Sequence, residues 1–253
     1  MADQHDWLVR PYAHRGLHSS AAGIVENTET AFQTAIDVGF GIELDVRLDG
    51  DGEVVVFHDA TLDRLTTATG RVADHTTADL KDVTFKESAD RIQTLPEMLE
   101  QVNAQVPLLI EIKTDWHHHG PCERKVAAYL RDYIGPAAVM SFDPACMLVF
   151  AKEFPQITRG LVADQYKNKH SPSGLSPWRR FYLRHLLSAF IVKPHFVNYD
   201  VRALPSFAPW VWKHVMRRPL LTWTVRSSQQ ANHAYRWADD IVFENFRPEV
   251  RPI

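Results

Sequence analysis

Eight short apolar runs recur along this chain, and stretches with helical periodicity separate them. The runs lie near residues 9–13, 41–46, 107–112, 138–142, 159–163, 195–199, 220–225 and 240–244. Strands that alternate with amphipathic helices form parallel sheets, because each helix carries the chain back to the edge where the next strand begins. Eight such units predict an α/β fold, a (β/α)8 TIM barrel, with its chemistry at the carboxyl ends of the strands.

A further strand-like run at residues 54–58 follows the second barrel strand after only a short Asp/Gly turn. A parallel neighbour needs a crossover of a dozen or more residues, whereas such a turn suits an antiparallel hairpin. We therefore predict one barrel domain over residues 1–253, with a small insertion after the second strand at about 47–93. The polar, threonine-rich insertion is expected to wall the barrel mouth and to bring His58 into the site.

Acidic side chains end two of the predicted strands. In Glu43-Leu44-Asp45 the two carboxylates share one face, because side chains alternate along a strand. The apolar run before Glu111 and Lys113 is typical of a strand buried on both faces. We predict that Glu43, Asp45 and Glu111 converge as oxygen ligands of a hard divalent cation, Mg²⁺ or Ca²⁺. The alternative is a rim-exposed Glu43 and an ordinary ion pair between Glu111 and Lys113.

Two histidines end strand-like runs in a similar way. His14 is followed by Arg15 and a glycine, and His58 closes the β-branched run before it. Two imidazoles can act as general base and general acid on opposite sides of a phosphorus atom. Arg15 offers bidentate donors to phosphate oxygens, and Lys113 adds a point charge. A lone histidine of this kind is more often structural, but beside a cation site the set predicts a phosphodiester-cleaving centre.

The start of the first helix is predicted just before residue 29. Asn27 is expected to cap this helix, and Glu29 in the first turn favours a helix N-terminus. Glu26 is therefore expected to belong to the helix start rather than to the site.

The residues around these positions resemble the glycerophosphodiester phosphodiesterase family. Dense matches run from His14 to Asp143, and beyond them the chain matches only in strand order, with a weak motif at Trp223-Thr224-Val225. Ordered matches in many parts are more specific than any single tripeptide. The dense motifs are His14-Arg15-Gly16, Glu26-Asn27-Thr28, Ala31-Phe32, Ala35, Glu43-Leu44-Asp45-Val46, Asp51-Gly52, Val55 to Asp59, Leu62, Arg64, Gly70, Thr94-Leu95-Pro96, Glu111-Ile112-Lys113 and Ser141-Phe142-Asp143.

The resemblance implies metal-dependent hydrolysis of glycerophosphodiesters to glycerol 3-phosphate and an alcohol. It implies that His14 and His58 are the acid/base pair. It implies further that Glu43, Asp45 and Glu111 bind the metal, and that Arg15 and Lys113 contact the phosphate. Two places depart from the family pattern. Asp49 stands at a turn where Thr is usual, and Glu244 begins a segment that replaces the usual Asp-containing end of the last strand. The second departure leaves open how the far side of the pocket is closed.

Two other functions are alternatives. A lysophospholipase D acting on lysophospholipids would need a broad apolar groove at the barrel mouth. A non-catalytic barrel that binds phosphodiesters would tolerate loss of His14 or His58, and both are present. The sequence does not distinguish Mg²⁺ from Ca²⁺ or show which histidine is the acid. It also leaves open whether the reaction forms a cyclic phosphate or proceeds by direct attack of water.

Residues 165–218 are rich in both basic and aromatic side chains. They contain ten Lys and Arg residues and one acid, Asp200. Such a segment can make peripheral contact with anionic membranes. The interpretation we favour is that Phe181, Leu183, Leu186, Leu187 and Phe190 form the core face of a barrel helix. A net charge of −3 argues against a nucleic-acid partner.

The composition is typical of one soluble enzyme domain with a large core, since 45% of the 253 residues are hydrophobic. Only two cysteines, Cys122 and Cys146, are present, which argues against a disulfide framework. The first residues are polar, and no apolar run is long enough to span a bilayer, so a cytoplasmic location is expected. No feature of the sequence indicates an oligomeric state.

Overall fold

Eight parallel strands form a closed barrel in the structure, a computed structural model that describes residues 7–166 and 175–249. The barrel order is β1, β9, β8, β7, β6, β5, β4, β2, and pairing of β1 with β2 closes it. The predicted (β/α)8 TIM barrel is thus confirmed. The strands are β1 (Tyr12–Ala13), β2 (Gly41–Leu48), β3 (Val54–Val56), β4 (Leu108–Ile112), β5 (Ala137–Ser141), β6 (Arg159–Ala163), β7 (Phe196–Asp200), β8 (Leu220–Val225) and β9 (Asp240–Phe243).

Helices surround the barrel, and side-chain caps fix where several of them begin. Thr94, Asp143 and Ser176 each accept a hydrogen bond from a backbone N–H of the first helical turn. Within the described residues, no helix combines the length and apolarity needed to cross a membrane. The helices are α1 (Glu29–Val38), α2 (Thr77–Asp82), α3 (Leu95–Val102), α4 (Pro121–Asp132), α5 (Pro144–Glu153), α6 (Pro177–Arg184), α7 (Ala189–Val192), α8 (Phe207–His214) and α9 (Ser228–Ala234).

The barrel strands are buried on both faces, which explains their nearly continuous apolar runs. In β4, Leu108 and Ile110 pack against the helices, whereas Leu109 packs inside the barrel beside Met140. Because side chains alternate, Glu111 shares the inner face with Leu109 and lies at the carboxyl end of the strand. The barrel interior is therefore apolar around Leu109, and Glu111 adds an acidic group at the carboxyl end.

The hairpin predicted after the second strand is present. Strand β3 pairs antiparallel with β2, with Val46 opposite Val56. Asp49 forms the turn, because its carboxylate accepts hydrogen bonds from the backbone N–H groups of Asp51 and Glu53 at 3.0 and 2.7 Å. The segment after the hairpin packs on a small apolar cluster of its own. The limits of the insertion at 47–93 and the assignment of residues 1–253 to one domain stay predictions.

The favoured interpretation of the basic aromatic segment is only partly right. Leu183 and Leu186 are buried as the helical pattern requires, but Phe181 and Phe190 are exposed. The prediction from helical periodicity is wrong because the five residues do not all lie on one helix. Helix α6 ends at Arg184 and a turn separates it from α7, so Phe190 belongs to a different helix. The polar start of the chain and residues 167–174 of this segment lie outside the described residues.

The turn after β1 packs so closely against α1 that a side chain at Gly16 is expected to destabilise the fold. Gly16 has φ 79°, and a Cβ there would lie 2.9 Å from the backbone carbon of Ala31. Gly52 has φ 76°, with nothing within 4 Å of an added Cβ. We expect Gly16→Ala to lower the free energy of unfolding by about 2–4 kcal/mol and Gly52→Ala by about 1 kcal/mol. Urea unfolding measures both, and equal losses would contradict a role for this contact.

Candidate active site

Three carboxylates converge at the carboxyl end of the barrel. Asp45 of β2 lies directly opposite Glu111 of β4, and Glu43 precedes Asp45 by two residues on the same face. Oxygen atoms of the three side chains lie within 4.8 Å of one another, and all three residues are buried. Burial, together with the charges of Asp45 and Glu111, raises the pKa of Glu43 well above its usual range. A hard cation would relieve this repulsion, so the donor set fits a divalent metal ion.

Two basic side chains contact the acidic cluster. Lys113 Nζ lies 3.0 Å from Asp45 Oδ1 and contacts Glu111, while Arg15 Nε lies 3.2 Å from Asp45 Oδ2. Burial alone would raise the pKa of Asp45, but the charges of Lys113 and Arg15 contribute to holding it well below its usual range. The ion pair between Glu111 and Lys113 therefore exists, but it is part of the buried cluster rather than of an exposed strand end.

His14 is held by a carboxylate from the last strand's end. It follows β1, and its Nδ1 lies 2.6 Å from Glu244 Oε2. Burial is the largest influence on His14 and lowers its pKa to about 4, so the imidazole is neutral near pH 7. Glu244 also accepts a hydrogen bond from Arg226 Nε at 2.5 Å. Despite burial, its contacts with His14 and Arg226 lower the pKa of Glu244 to about 2. Glu244, where the sequence departs from the family pattern, thus holds both His14 and Arg226.

His58 has an equivalent carboxylate partner on the insertion. Its Nδ1 lies 2.6 Å from Asp59 Oδ1, and Arg64 Nε donates to Asp59 Oδ2 at 2.5 Å. Arg64 also donates to Glu26 at 2.6 Å, and Glu26 accepts a further hydrogen bond from Arg15 at 2.7 Å. A continuous chain of charged contacts therefore connects His58, on the insertion, to Arg15, on the barrel.

The predicted helix cap at Asn27 is wrong, because Asn27 belongs to the site. Its backbone is left-handed, with φ 56°, and its side-chain amide donates to Asp45 Oδ2 at 2.9 Å and accepts from the Asp45 N–H at 3.2 Å. Thr28 caps α1 instead, accepting from the Ala31 N–H. Glu26 likewise lies in the site, between Arg15 and Arg64, rather than in the helix start.

A pocket of about 640 Å³ opens above the acidic cluster. His14, Arg15, His58, Glu111 and Lys113 line it, and Glu43 and Asp45 are buried beside it. All seven predicted site residues thus meet at one end of the barrel. Most of the other wall residues are aromatic or charged, namely Arg47, Trp116, Phe142, Asp143, Asp164, Tyr166, Asp200, Arg202, Trp223 and Arg226.

The contact between Glu244 and His14 predicts that Glu244 orients the imidazole of His14 for catalysis. Glu244→Gln keeps the shape of the side chain but removes the charge that orients and stabilises the imidazole. We expect kcat for hydrolysis of a phosphodiester substrate to fall by roughly 10–100-fold, with KM little changed. Glu53→Gln is the control, because Glu53 contacts Lys125 and Tyr129, which do not line this pocket. Unchanged kcat in Glu244→Gln would contradict the role.

The site has the groups needed to cleave a phosphodiester. Three carboxylates can bind a divalent cation, two imidazoles are each held by a carboxylate, and two basic side chains can bind phosphate. Comparison with known proteins identifies the family. The glycerophosphoryl diester phosphodiesterase family matches residues 14–247, and the chain belongs to it. A glycerophosphodiester phosphodiesterase of Caldanaerobacter subterraneus subsp. tengcongensis is 30% identical over 223 residues, which is 84% of each chain.

Solved structures share the fold at low sequence identity. A phosphodiesterase from Oleispira antarctica, in complex with the product sn-glycerol-3-phosphate, superimposes with a TM-score of 0.74 at 21% identity over 94% of each chain. A glycerophosphodiester phosphodiesterase from Thermotoga maritima gives a TM-score of 0.70 at 24% identity over 92% of each chain. Both similarities confirm the barrel.

Proposed function

We propose that this protein hydrolyses glycerophosphodiesters to glycerol 3-phosphate and an alcohol. The observation that carries the proposal is one pocket in which a cluster of three carboxylates faces two histidines, each bound to a carboxylate. Family membership and the relative named as a glycerophosphodiester phosphodiesterase support the same substrate class. The bound glycerol 3-phosphate of the Oleispira antarctica enzyme fits a product of this kind.

Glu43, Asp45 and Glu111 would hold the cation, and their hard oxygen donors suit either Mg²⁺ or Ca²⁺. When bound, such an ion supplies positive charge to a phosphoryl oxygen. Among the protein's own groups, Arg15 and Lys113 contact the phosphate, and both already lie at the pocket wall.

The two histidines exchange protons with the reacting groups. One imidazole removes a proton from the nucleophile, and the other protonates the departing oxygen. Each has its Nδ1 engaged by a carboxylate, Glu244 for His14 and Asp59 for His58, which leaves Nε2 for proton transfer. This pairing also argues against the non-catalytic alternative, because a barrel that only binds diesters has no need for two oriented imidazoles.

The pocket wall favours a small polar substrate over a lysophospholipid. Besides its aromatic side chains, it carries six charged residues beyond the predicted set, Arg47, Asp143, Asp164, Asp200, Arg202 and Arg226. An acyl chain passing these groups would desolvate charge without replacing the lost hydrogen bonds. The lysophospholipase D activity therefore remains the secondary alternative.

A direct comparison of substrates tests the proposal. With Mg²⁺ or Ca²⁺ present, we expect the protein to release glycerol 3-phosphate from glycerophosphocholine with a higher kcat/KM than it releases choline from lysophosphatidylcholine. The products are measured enzymatically as glycerol 3-phosphate and choline. Faster turnover of lysophosphatidylcholine would favour the alternative, and the absence of turnover of both would favour a binding protein.

We also infer a cytoplasmic location. Cys122 and Cys146 are both free and buried, which suits a reducing compartment. Fractionation of cells that express the natural protein tests this inference, and recovery in an extracytoplasmic fraction would contradict it.

A further inference from the structure

The outer side of the barrel between α6 and α8 exposes an unusual amount of aromatic surface. We propose that this side binds anionic phospholipid bilayers. The apolar part, here termed the α6–α8 surface, consists of Trp178, Phe181, Phe190, Phe207 and Met216, whose exposed fractions are 70, 47, 71, 75 and 47%. Large apolar side chains exposed together mark interaction sites in soluble proteins.

These side chains form one continuous surface. Phe181, Phe190, Phe207 and Met216 line a single groove of about 860 Å³ between α6, α7 and α8. Trp178 extends it, because its ring stacks on Phe181 with centroids 5.5 Å apart and an angle of 17°. Aromatic side chains with this arrangement suit the boundary between headgroups and acyl chains.

Unpaired basic side chains surround the apolar residues. Lys193 and Arg218 line the same groove, Arg217 follows Met216, and Arg180 and Arg184 lie beside Phe181. Across residues 7–166 and 175–249, none of these five forms an ion pair. Asp200, the one acid between residues 175 and 218, is buried and bound to Arg202. The chain carries a net charge of −3, so positive charge is concentrated on this side.

The charge pattern favours a bilayer over a second copy of the chain. A two-fold symmetric contact would place the same surface of two protomers together, and their basic side chains would then repel one another. An anionic bilayer instead offers negative headgroups to the basic rim and an apolar interior to the aromatic rings. Helix α6, which carries part of this surface, also contacts the active-site wall, because Arg179 Cζ lies 5.0 Å from the ring centroid of Trp116.

Vesicle co-sedimentation of the full chain tests this inference. We expect binding to vesicles of phosphatidylcholine mixed with an equal amount of phosphatidylglycerol, and little binding to phosphatidylcholine alone. Phe190→Ser and Phe207→Ser should each reduce the partition coefficient by roughly tenfold. The double variant Arg217→Glu/Arg218→Glu should also reduce it by roughly tenfold or more, and added salt should weaken wild-type binding.

Matched controls separate membrane binding from folding and from catalysis. Ile134→Ser removes an apolar side chain that is 91% exposed but lies after α4, and it should bind vesicles like the wild type. All variants should hydrolyse soluble glycerophosphocholine at the wild-type rate, so that failure of the proposed function would be seen independently. Equal binding to both kinds of vesicle, or no binding, would overturn the inference. A dimer in sedimentation velocity that dissociates in Phe190→Ser would overturn it in favour of a second copy.

Discussion

Replacement of His14 or His58 by alanine is expected to lower the hydrolysis rate of choline or ethanolamine glycerophosphodiesters on the order of 10²–10⁴-fold. The two histidines should behave differently when the leaving group changes. A choline or ethanolamine alkoxide is a strong base and needs a proton as it departs, whereas p-nitrophenolate hardly does. The variant that lacks the general acid should therefore be largely rescued by a p-nitrophenyl diester, and the variant that lacks the base should remain slow.

Steady-state kinetics of both variants on both substrates provides the measurement. His118→Ala is the control, because the side chain of His118 is 86% exposed and contacts Asp115, which lies outside the pocket. Equal residual rates of His14→Ala and His58→Ala on both substrates would show that the histidines only keep the pocket in shape.

Glu43→Gln and Glu111→Gln are expected to raise the metal concentration needed for half-maximal activity by at least roughly tenfold. Each substitution keeps the size of the side chain but removes one of three charges that face the cation. Isothermal titration with Mg²⁺ and with Ca²⁺ should show the same loss of affinity without any turnover. Glu123→Gln is the matched control, because Glu123 is equally buried but binds the Gly120 N–H at the start of α4. Wild-type metal affinity in both site variants would place the ligands elsewhere.

Strand-level features of this protein were predictable because they depend on local periodicity. The run before Glu111 and the alternation around Glu43 and Asp45 placed the carboxylates on inner faces, and parallel pairing then sets Asp45 opposite Glu111. The Asp/Gly turn likewise predicted an antiparallel hairpin, which carries His58 to the site. In each case a few neighbouring residues contain the whole signal.

The features that were missed depend on contacts across the chain. Glu244 meets His14 only because the barrel closes between β1 and β9, 230 residues apart in sequence. Asn27 resembled a helix cap because Asn favours both caps and left-handed backbone, and only its contact with Asp45 distinguishes the two. The exposure of Phe190 was not predicted because the break between α6 and α7 has no strong local signal.

We conclude that the three-carboxylate cluster and the two histidines form a metal-dependent phosphodiesterase site. The most direct test measures release of glycerol 3-phosphate from choline, ethanolamine and glycerol diesters, with Mg²⁺ or Ca²⁺ and then in excess chelator. We predict release from at least one of these diesters with metal, none in chelator, and recovery when the metal is restored. Full release in chelator, with metal below trace level, would contradict the account.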